Sequence, residues 1–179
     1  EDNVSVGRSS LRLNTTGSSN TAVGKQALSS NANASNNTAV GYQAGYSSNS
    51  GNGVQALGYQ ALYSNTTGDG TAVGYQALYA NTTGSQNTAV GYQALDANTT
   101  ASNNTALGSL SLGANTTGAN NTAVGAQSGQ DISTGDANTV VGFLAGTDIT
   151  TGTNNVAIGA YSADATTTGT ANTVVGKSA

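Results

Sequence analysis

The feature that most constrains the fold of this chain is a seventeen-residue repeat. A glycine closes each run that resembles Thr-Ala-Val-Gly, and successive glycines keep this period, except for one shorter step of sixteen between Gly58 and Gly74. The eleven glycines are Gly7, Gly24, Gly41, Gly58, Gly74, Gly91, Gly108, Gly125, Gly142, Gly159 and Gly176. A disordered linker has no reason to keep such a period. The sequence therefore predicts one repeat array that covers residues 1–179.

The period also decides whether the low content of bulky hydrophobic residues indicates disorder or a folded repeat array. Only 28 of the 179 residues are Val, Leu, Ile or Phe, and such a low fraction marks disorder when the net charge is high. Here the formal net charge is only −4. We therefore expect a repetitive fold with a core of small residues.

One repeat is too short for a helical unit, since helical repeats run to about 33 to 47 residues and hold two helices. It suffices for one coil of short strands and corners, and such coils stack at about 4.8 Å. Asn, Gly and Thr are also poor helix formers. The sequence predicts an all-β fold, a parallel β-solenoid of about ten 17-residue coils.

Aliphatic residues stand immediately before the repeated glycines and predict a core ladder in which each side chain packs on its copies. That column includes Val23, Val40, Val73, Val90, Val124, Val141, Ile158 and Val175. The third residue after each glycine is always Ala or Ser. This predicts that the opposite strand or a neighbouring chain lies too close for a larger side chain. The next column holds Leu28, Leu62, Leu78, Leu95 and Leu112 and changes to glycine in other coils.

Asparagine and a second glycine column predict the corners of the coil. Asn tolerates left-handed backbone and bonds its own chain, so stacked copies predict an amide ladder. This corner ladder includes Asn20, Asn37, Asn87, Asn104, Asn121 and Asn138. The second glycine column predicts a corner that needs positive φ. It comprises Gly17, Gly51, Gly68, Gly84, Gly118, Gly135, Gly152 and Gly169.

Tyrosine is the most informative predicted surface residue. One column contains Tyr42, Tyr59, Tyr75 and Tyr92, and a second contains Tyr46, Tyr63 and Tyr79. Aromatic ladders stabilise stacked strands by about 0.2–1 kcal/mol per pair. The alternative is a strip that binds a sugar, a surface or another chain.

The side chains most used in catalysis are scarce. The chain has no His and no Cys, so the usual bases, triads and soft metal sites are lacking, and we expect no enzymatic activity. Asp131 and Asp148 lie one repeat apart, and two carboxylates so placed can share a Ca²⁺. Asx turns on a solvated edge explain them better, and no metal or cofactor is predicted.

Partners are constrained by charge and hydropathy. Arg8, Arg12, Lys25 and Lys177 lie near the two ends and form no basic stripe, so no nucleic-acid binding is expected. No apolar run approaches the ~20 residues that span a bilayer, so no membrane insertion is expected.

The motifs "NTAVGYQAL", "NTTGSQNTAVGYQAL" and "NNVAIGAYS" resemble repeats of bacterial and phage tail-fibre-type proteins. They are also similar to the "VAIG" coils in the heads of trimeric autotransporter adhesins of the YadA type. The resemblance implies parallel β-coils, left-handed and often trimeric in those heads. It implies an extracellular fibre or adhesin on a cell surface or virion, with host-surface glycans as a further partner. The repeat of those heads is shorter than the one found here.

Two function classes remain open from the sequence. The first is a structural or adhesive fibre subunit that assembles with copies of itself, and the alternative is an ice-binding β-solenoid. A threonine column bears on the choice: Thr21, Thr38, Thr71, Thr88, Thr105, Thr122, Thr139 and Thr173. Because each Thr stands two residues before the predicted core column, these side chains are expected to point inward. Gln55 and Val156 also interrupt the column, whereas an ice-binding face needs paired outward Thr-x-Thr rows.

The two ends of the array predict a mode of assembly. The acidic Glu1 and Asp2 precede the first coil, and Lys177 follows the last repeated glycine. Open solenoid ends pair with other strands unless they are capped, which predicts head-to-tail polymerisation. The alternative is that the chain is a piece of a longer fibre protein.

Overall fold

The computed structural model, which describes residues 2–163 and 167–179, is a stack of coils that each contribute one short strand. All neighbouring strands pair in parallel, in sequence order, in one eleven-stranded sheet. The strands are β1 (Val4–Val6), β2 (Thr21–Val23), β3 (Thr38–Val40), β4 (Gln55–Leu57), β5 (Gly70–Val73), β6 (Asn87–Val90), β7 (Thr105–Leu107), β8 (Thr122–Val124), β9 (Thr139–Val141), β10 (Val156–Ile158) and β11 (Thr173–Val175). The predicted all-β parallel β-solenoid is confirmed, and no helix occurs among the described residues.

The columns of the sequence are columns in space. Thr88 pairs with Thr105 and Val90 with Leu107, one full repeat apart, and only β4 and β5 pair across the shortened repeat. Hydrogen bonds at the same register continue outside the strands. The Gln93 N–H donates to the Tyr75 carbonyl at 2.9 Å. Each coil is therefore bonded to its neighbours along strand and turn alike.

The core is built mainly from alanine and leucine. The middle residue of most strands is a fully buried alanine, such as Ala72 or Ala89. It packs in one cluster with the buried alanine and leucine that follow each repeated glycine, as in Ala77 and Leu78.

The column of Ala and Ser at the third position after the repeated glycines is predicted to lie against a close neighbour. Ser128 of that column shows how near the next coil lies. Its hydroxyl donates to the Val140 carbonyl of that coil at 2.9 Å. Ser128 is itself fully buried. A larger side chain at this position would displace backbone of the neighbouring coil.

The prediction of an aliphatic core ladder before the repeated glycines is wrong. Val40 is 39% exposed and Val90 37%, because strand side chains alternate and the alanine between Thr and Val takes the inward place. The interior is too narrow for a second bulky column opposite the leucines. The misplaced residues are Val23, Val40, Val73, Val90, Val124, Val141, Ile158 and Val175, all of them half-buried or exposed.

Where the leucine column changes to glycine, other aliphatic side chains fill the space. A Cβ on Gly129 would stand 2.9 Å from Ile132 Cδ1 and 3.0 Å from Val140 Cγ2. A Cβ on Gly146 would stand 2.6 Å from Val140 Cγ1. Ile132 and Val140 are fully buried. The glycines thus make room for branched side chains, and the narrow core stays filled.

The prediction of positive φ in the second glycine column is wrong. Positive φ occurs instead at the repeated glycines, such as Gly91 with φ of 145°, and at the residue before each ladder asparagine, such as Asn103 with φ of 63°. It also occurs at the second and fourth residues after the repeated glycines, such as Gln93 and Leu95. In the second column, a Cβ on Gly68 would collide with the carbonyl oxygen of Gly84 in the next coil. That column is glycine because two backbones approach closely.

The inner and outer leucines give a matched test of this architecture. Leu78→Ala removes a fully buried side chain and should cost about 2–5 kcal/mol of unfolding free energy. Leu107→Ala removes one that is 41% exposed and should change the unfolding free energy by about 0.5 kcal/mol or less. Urea unfolding of dilute protein measures both. Equal losses would contradict the inward alanine and outward aliphatic arrangement.

Candidate interaction surfaces

The exposed rows of the rod are its candidate functional sites. The part of the chain that the structure describes has no pocket and no group of three or more side chains able to hold a metal ion. Within the same residues no helix is long and apolar enough to cross a membrane. Two kinds of row stand out: the outer side of the sheet and the stacked tyrosines.

The outer side of the sheet, which we term the Thr–Val face, consists of the first and third positions of the strand triplets. One row is mainly threonine and the other is Val, Leu or Ile, with the aliphatic row 37–67% exposed at eight of its eleven positions. Those eight positions are Val6, Val40, Leu57, Val90, Leu107, Val124, Ile158 and Val175. The eleven described strands contain no charged residue. The face is therefore a long, uncharged surface with a continuous apolar edge.

The threonine column lies on this outer face, so the prediction that it points inward is wrong. The two-residue spacing correctly places each Thr on the same side as the following aliphatic residue, but that side faces solvent: Thr173 is exposed and the other seven threonines are half-buried. The column comprises Thr21, Thr38, Thr71, Thr88, Thr105, Thr122, Thr139 and Thr173. Hydroxyl and aliphatic rows therefore run side by side along the rod.

The tyrosines form two rows of stacked rings. In the first row, Tyr42, Tyr59, Tyr75 and Tyr92, neighbouring centroids are 5.0–5.3 Å apart and the ring planes differ by 6–13°. In the second, Tyr46, Tyr63 and Tyr79, the centroids are 5.1 and 5.3 Å apart. Lys25 Nζ lies 5.4 Å from the Tyr42 centroid at one end of the first row. The ring faces within each row cover one another.

A glutamine ladder accompanies the first tyrosine row and is missed by the sequence analysis. Gln43 Nε2 donates to Gln26 Oε1 at 3.1 Å, and Gln60 Nε2 donates to Gln43 Oε1 at 2.9 Å. Gln76 and Gln93 continue the ladder. Its signal in the sequence is a Gln that follows the repeated glycine by two positions in five consecutive coils.

The asparagine corner ladder is buried and structural. The residues Asn20, Asn37, Asn87, Asn104, Asn121 and Asn138 are buried, and the side-chain oxygen of each accepts a backbone N–H of the next coil. A second ladder, missed in the sequence, contains Asn31, Asn65, Asn81, Asn98 and Asn115. Both ladders meet at shared acceptors: the Gly118 carbonyl accepts Nδ2 of Asn104 and of Asn115, each at 2.9 Å.

Acidic residues take little part in these surfaces. Asp131 and Asp148 are both exposed on the rod. Asp96 occupies the column of the second tyrosine row, one coil beyond Tyr79, and burial raises the pKa of its carboxyl. Glu1 and Asp164 lie outside the described residues.

Comparison of the chain with protein families, with curated proteins and with solved structures finds no match. A functional interpretation therefore depends on the surfaces described above and on the resemblance carried by the repeat motifs.

The second tyrosine row predicts a pH dependence of stability. Burial, followed by the neighbouring Tyr46 and Tyr79, raises the pKa of Tyr63 above its ordinary value of about 10. Because the folded state disfavours the phenolate, this contribution to stability is present below pH ~10 and is lost as pH rises through the folded pKa. Urea unfolding between about pH 8 and pH 11 should therefore show a loss of stability that Tyr63→Phe reduces.

Tyr161→Phe is the control for this prediction, because Tyr161 lies outside both rows and packs edge-on against Phe143. If both variants changed the alkaline loss by the same amount, the stacked row would not be its cause.

Proposed function

We propose that this chain is a structural subunit of an extracellular fibre or adhesin, whose rods associate through the Thr–Val face with copies of themselves. The observation that carries the proposal is the exposed aliphatic row of that face. Contiguous exposed apolar surface on a folded protein marks an interaction site, because burying it removes apolar area from water. Because the strands contain no charged residue, burying this face requires no charged side chain of the strands to lose its hydration.

The period of the face favours a second copy as the partner. Apolar side chains recur once per coil, at the spacing of parallel strands, about 4.8 Å. A partner that fits many rungs must repeat at the same spacing, and another copy does so by construction.

The size of the face is adequate for such a contact. Eleven rungs, each three residues wide, cover an area of about 50 by 10 Å, so two copies would bury about 1,000 Å² in all. That area reaches the minimum of about 1,000 Å² for a biological interface but is below the roughly 1,200–2,000 Å² of stable ones, so a two-copy contact would be weak, and a third copy around a common axis would add to it.

The fibre or adhesin role and the location on a cell surface or virion are supported by the resemblance of the repeats to tail-fibre-type proteins and YadA-type heads. The rod form agrees with that role. Host-surface glycans stay a proposed partner of the tyrosine strip. Since the rings cover one another's faces, a sugar would meet mainly ring edges, hydroxyls and the adjoining glutamine amides.

Sedimentation of the purified chain over a concentration series tests self-association. We expect dimers or trimers whose population rises with concentration. Val90→Asp with Val124→Asp should shift the chain to monomer, because two charges would be buried without partners in the contact.

Thr83→Asp with Thr117→Asp is the matched control, since it adds the same charge at exposed corner positions away from the Thr–Val face. Circular dichroism verifies that both double variants fold. A chain that sediments as a monomer at every concentration, or a control that dissociates equally, would overturn the proposed contact.

The outward threonine row favours ice binding as a second candidate function. A regular array of hydroxyl and methyl groups on a rigid sheet can order water at the spacing of its rungs. The measurement is thermal hysteresis at sub-millimolar protein, with Thr88→Tyr and Thr105→Tyr to disrupt the array. The fibre proposal expects no freezing gap. A clear gap that these substitutions abolish would make ice binding the better assignment.

A further inference from the structure

The two tyrosine rows stack phenol rings of successive coils, from Tyr42 to Tyr92 in the first row and from Tyr46 to Tyr79 in the second. Most of the first row is exposed to solvent. We infer that these rows are sites of oxidative cross-linking, where a one-electron oxidant such as a peroxidase with hydrogen peroxide joins tyrosines of neighbouring coils as dityrosine. The inference concerns single chains and does not depend on their self-association.

Distance and register support the coupling. Ring centroids of Tyr59 and Tyr75 are 5.0 Å apart with planes 6° from parallel, and those of Tyr63 and Tyr79 are 5.3 Å apart. The backbone fixes each pair, since the Gln76 N–H donates to the Tyr59 carbonyl at 2.9 Å. Two radicals formed in one row are therefore already neighbours, so their coupling is intramolecular.

Exposure allows an oxidant to reach the first row. Tyr59, Tyr75 and Tyr92 are 42%, 44% and 51% exposed. The rings of exposed side chains reorient rapidly, so the ortho carbons of neighbours can meet edge to edge while the coils stay in register.

Hydrogen peroxide accepts the electrons and protons that the coupling of two tyrosines releases. Each of two tyrosines loses one electron and its phenolic proton, and the resulting phenoxyl radicals form one carbon–carbon bond between their ortho carbons. Each ortho carbon then loses its hydrogen as a proton, while each phenolic oxygen regains one, which restores both aromatic rings. The two electrons and two released protons reduce one hydrogen peroxide to two water molecules.

The composition of the chain directs oxidation to tyrosine. The sequence contains no Cys, Met, Trp or His, which are the other readily oxidised side chains. A tyrosyl radical therefore meets no thiol, thioether or indole of its own chain that would quench it. The product would be a covalent cross-link that closes a loop of one coil. Like a disulfide, it would restrict the conformations of the unfolded chain.

Tyr161 is an internal control. It is 39% exposed, comparable to Tyr59, but its ring partner is Phe143, edge-on at a centroid distance of 5.4 Å. Random collisions between chains would cross-link Tyr161 as readily as the rows. Coupling within the rows would leave it unmodified.

The test treats dilute, folded chain with a haem peroxidase and hydrogen peroxide and then measures dityrosine fluorescence and peptide masses. Cleavage before aspartates separates a segment ending at Gly68, with Tyr59 and Tyr63, from the segment 69–95, with Tyr75 and Tyr79. We expect these two segments to be joined within one chain with the loss of two hydrogen atoms per bond. The segment beginning at Asp148, which holds Tyr161, should stay single. The cross-linked chain should also unfold at a higher temperature.

The double variant Tyr75→Phe with Tyr79→Phe keeps the aromatic stack. It removes the two phenols of segment 69–95 that can couple to Tyr59 and Tyr63. The joined segments should fall at least about tenfold, while coupling of Tyr42 to Tyr59 persists inside the first segment. A photochemical one-electron oxidant in urea provides the unfolded comparison, in which coupling should lose its pattern. Absence of dityrosine in the folded chain, or coupling that includes Tyr161 as often as the rows, would overturn the inference.

Discussion

The interaction on which the whole structure depends is hydrogen bonding between each coil and the next at a constant register. Backbone groups pair along the strand and the turns, and buried asparagines bond the corners, where the Gly118 carbonyl accepts amides from Asn104 and Asn115. This bonding requires coils to approach to the spacing of parallel strands everywhere, including the corners. At Gly68 a single Cβ would already meet the carbonyl of the following coil. The glycine and asparagine content of the sequence follows from that constraint.

A narrow interior explains the distribution of apolar residues. The inward positions hold Ala89 and Ala94, with Leu95 as the largest regular member, so little volume is available for larger side chains. Where a branched residue such as Ile132 enters, a glycine replaces the leucine. The remaining aliphatic residues of the strands, such as Val90, are left outside. The same constraint that fills the core thus produces an exposed apolar row.

The sequence predicts the period, the parallel stacking and the residue columns, because a repeat this short leaves few other folds. The tyrosine rows can be identified for the same reason. Which side of each strand faces inward could not be predicted from hydropathy. In Thr-Ala-Val the most apolar residue lies outside, and the choice depends on interior volume. The positive φ of Gly91 and the close approach at Gly68 also look alike in sequence, since glycine meets both needs.

A solenoid of near-identical coils can present only rows, and this limits the partners that its surfaces suit. One rung of the Thr–Val face offers a threonine and one aliphatic side chain, which is too little area for a specific contact. Affinity must accumulate over many rungs, so a fitting partner is itself periodic at the same spacing. Another copy of the chain, an ordered water lattice and a long polysaccharide all have a period. Among these, the copy buries the aliphatic row against another aliphatic row, whereas water leaves it solvated and a sugar offers it mostly hydroxyls. The hydrophobic contribution therefore favours the copy.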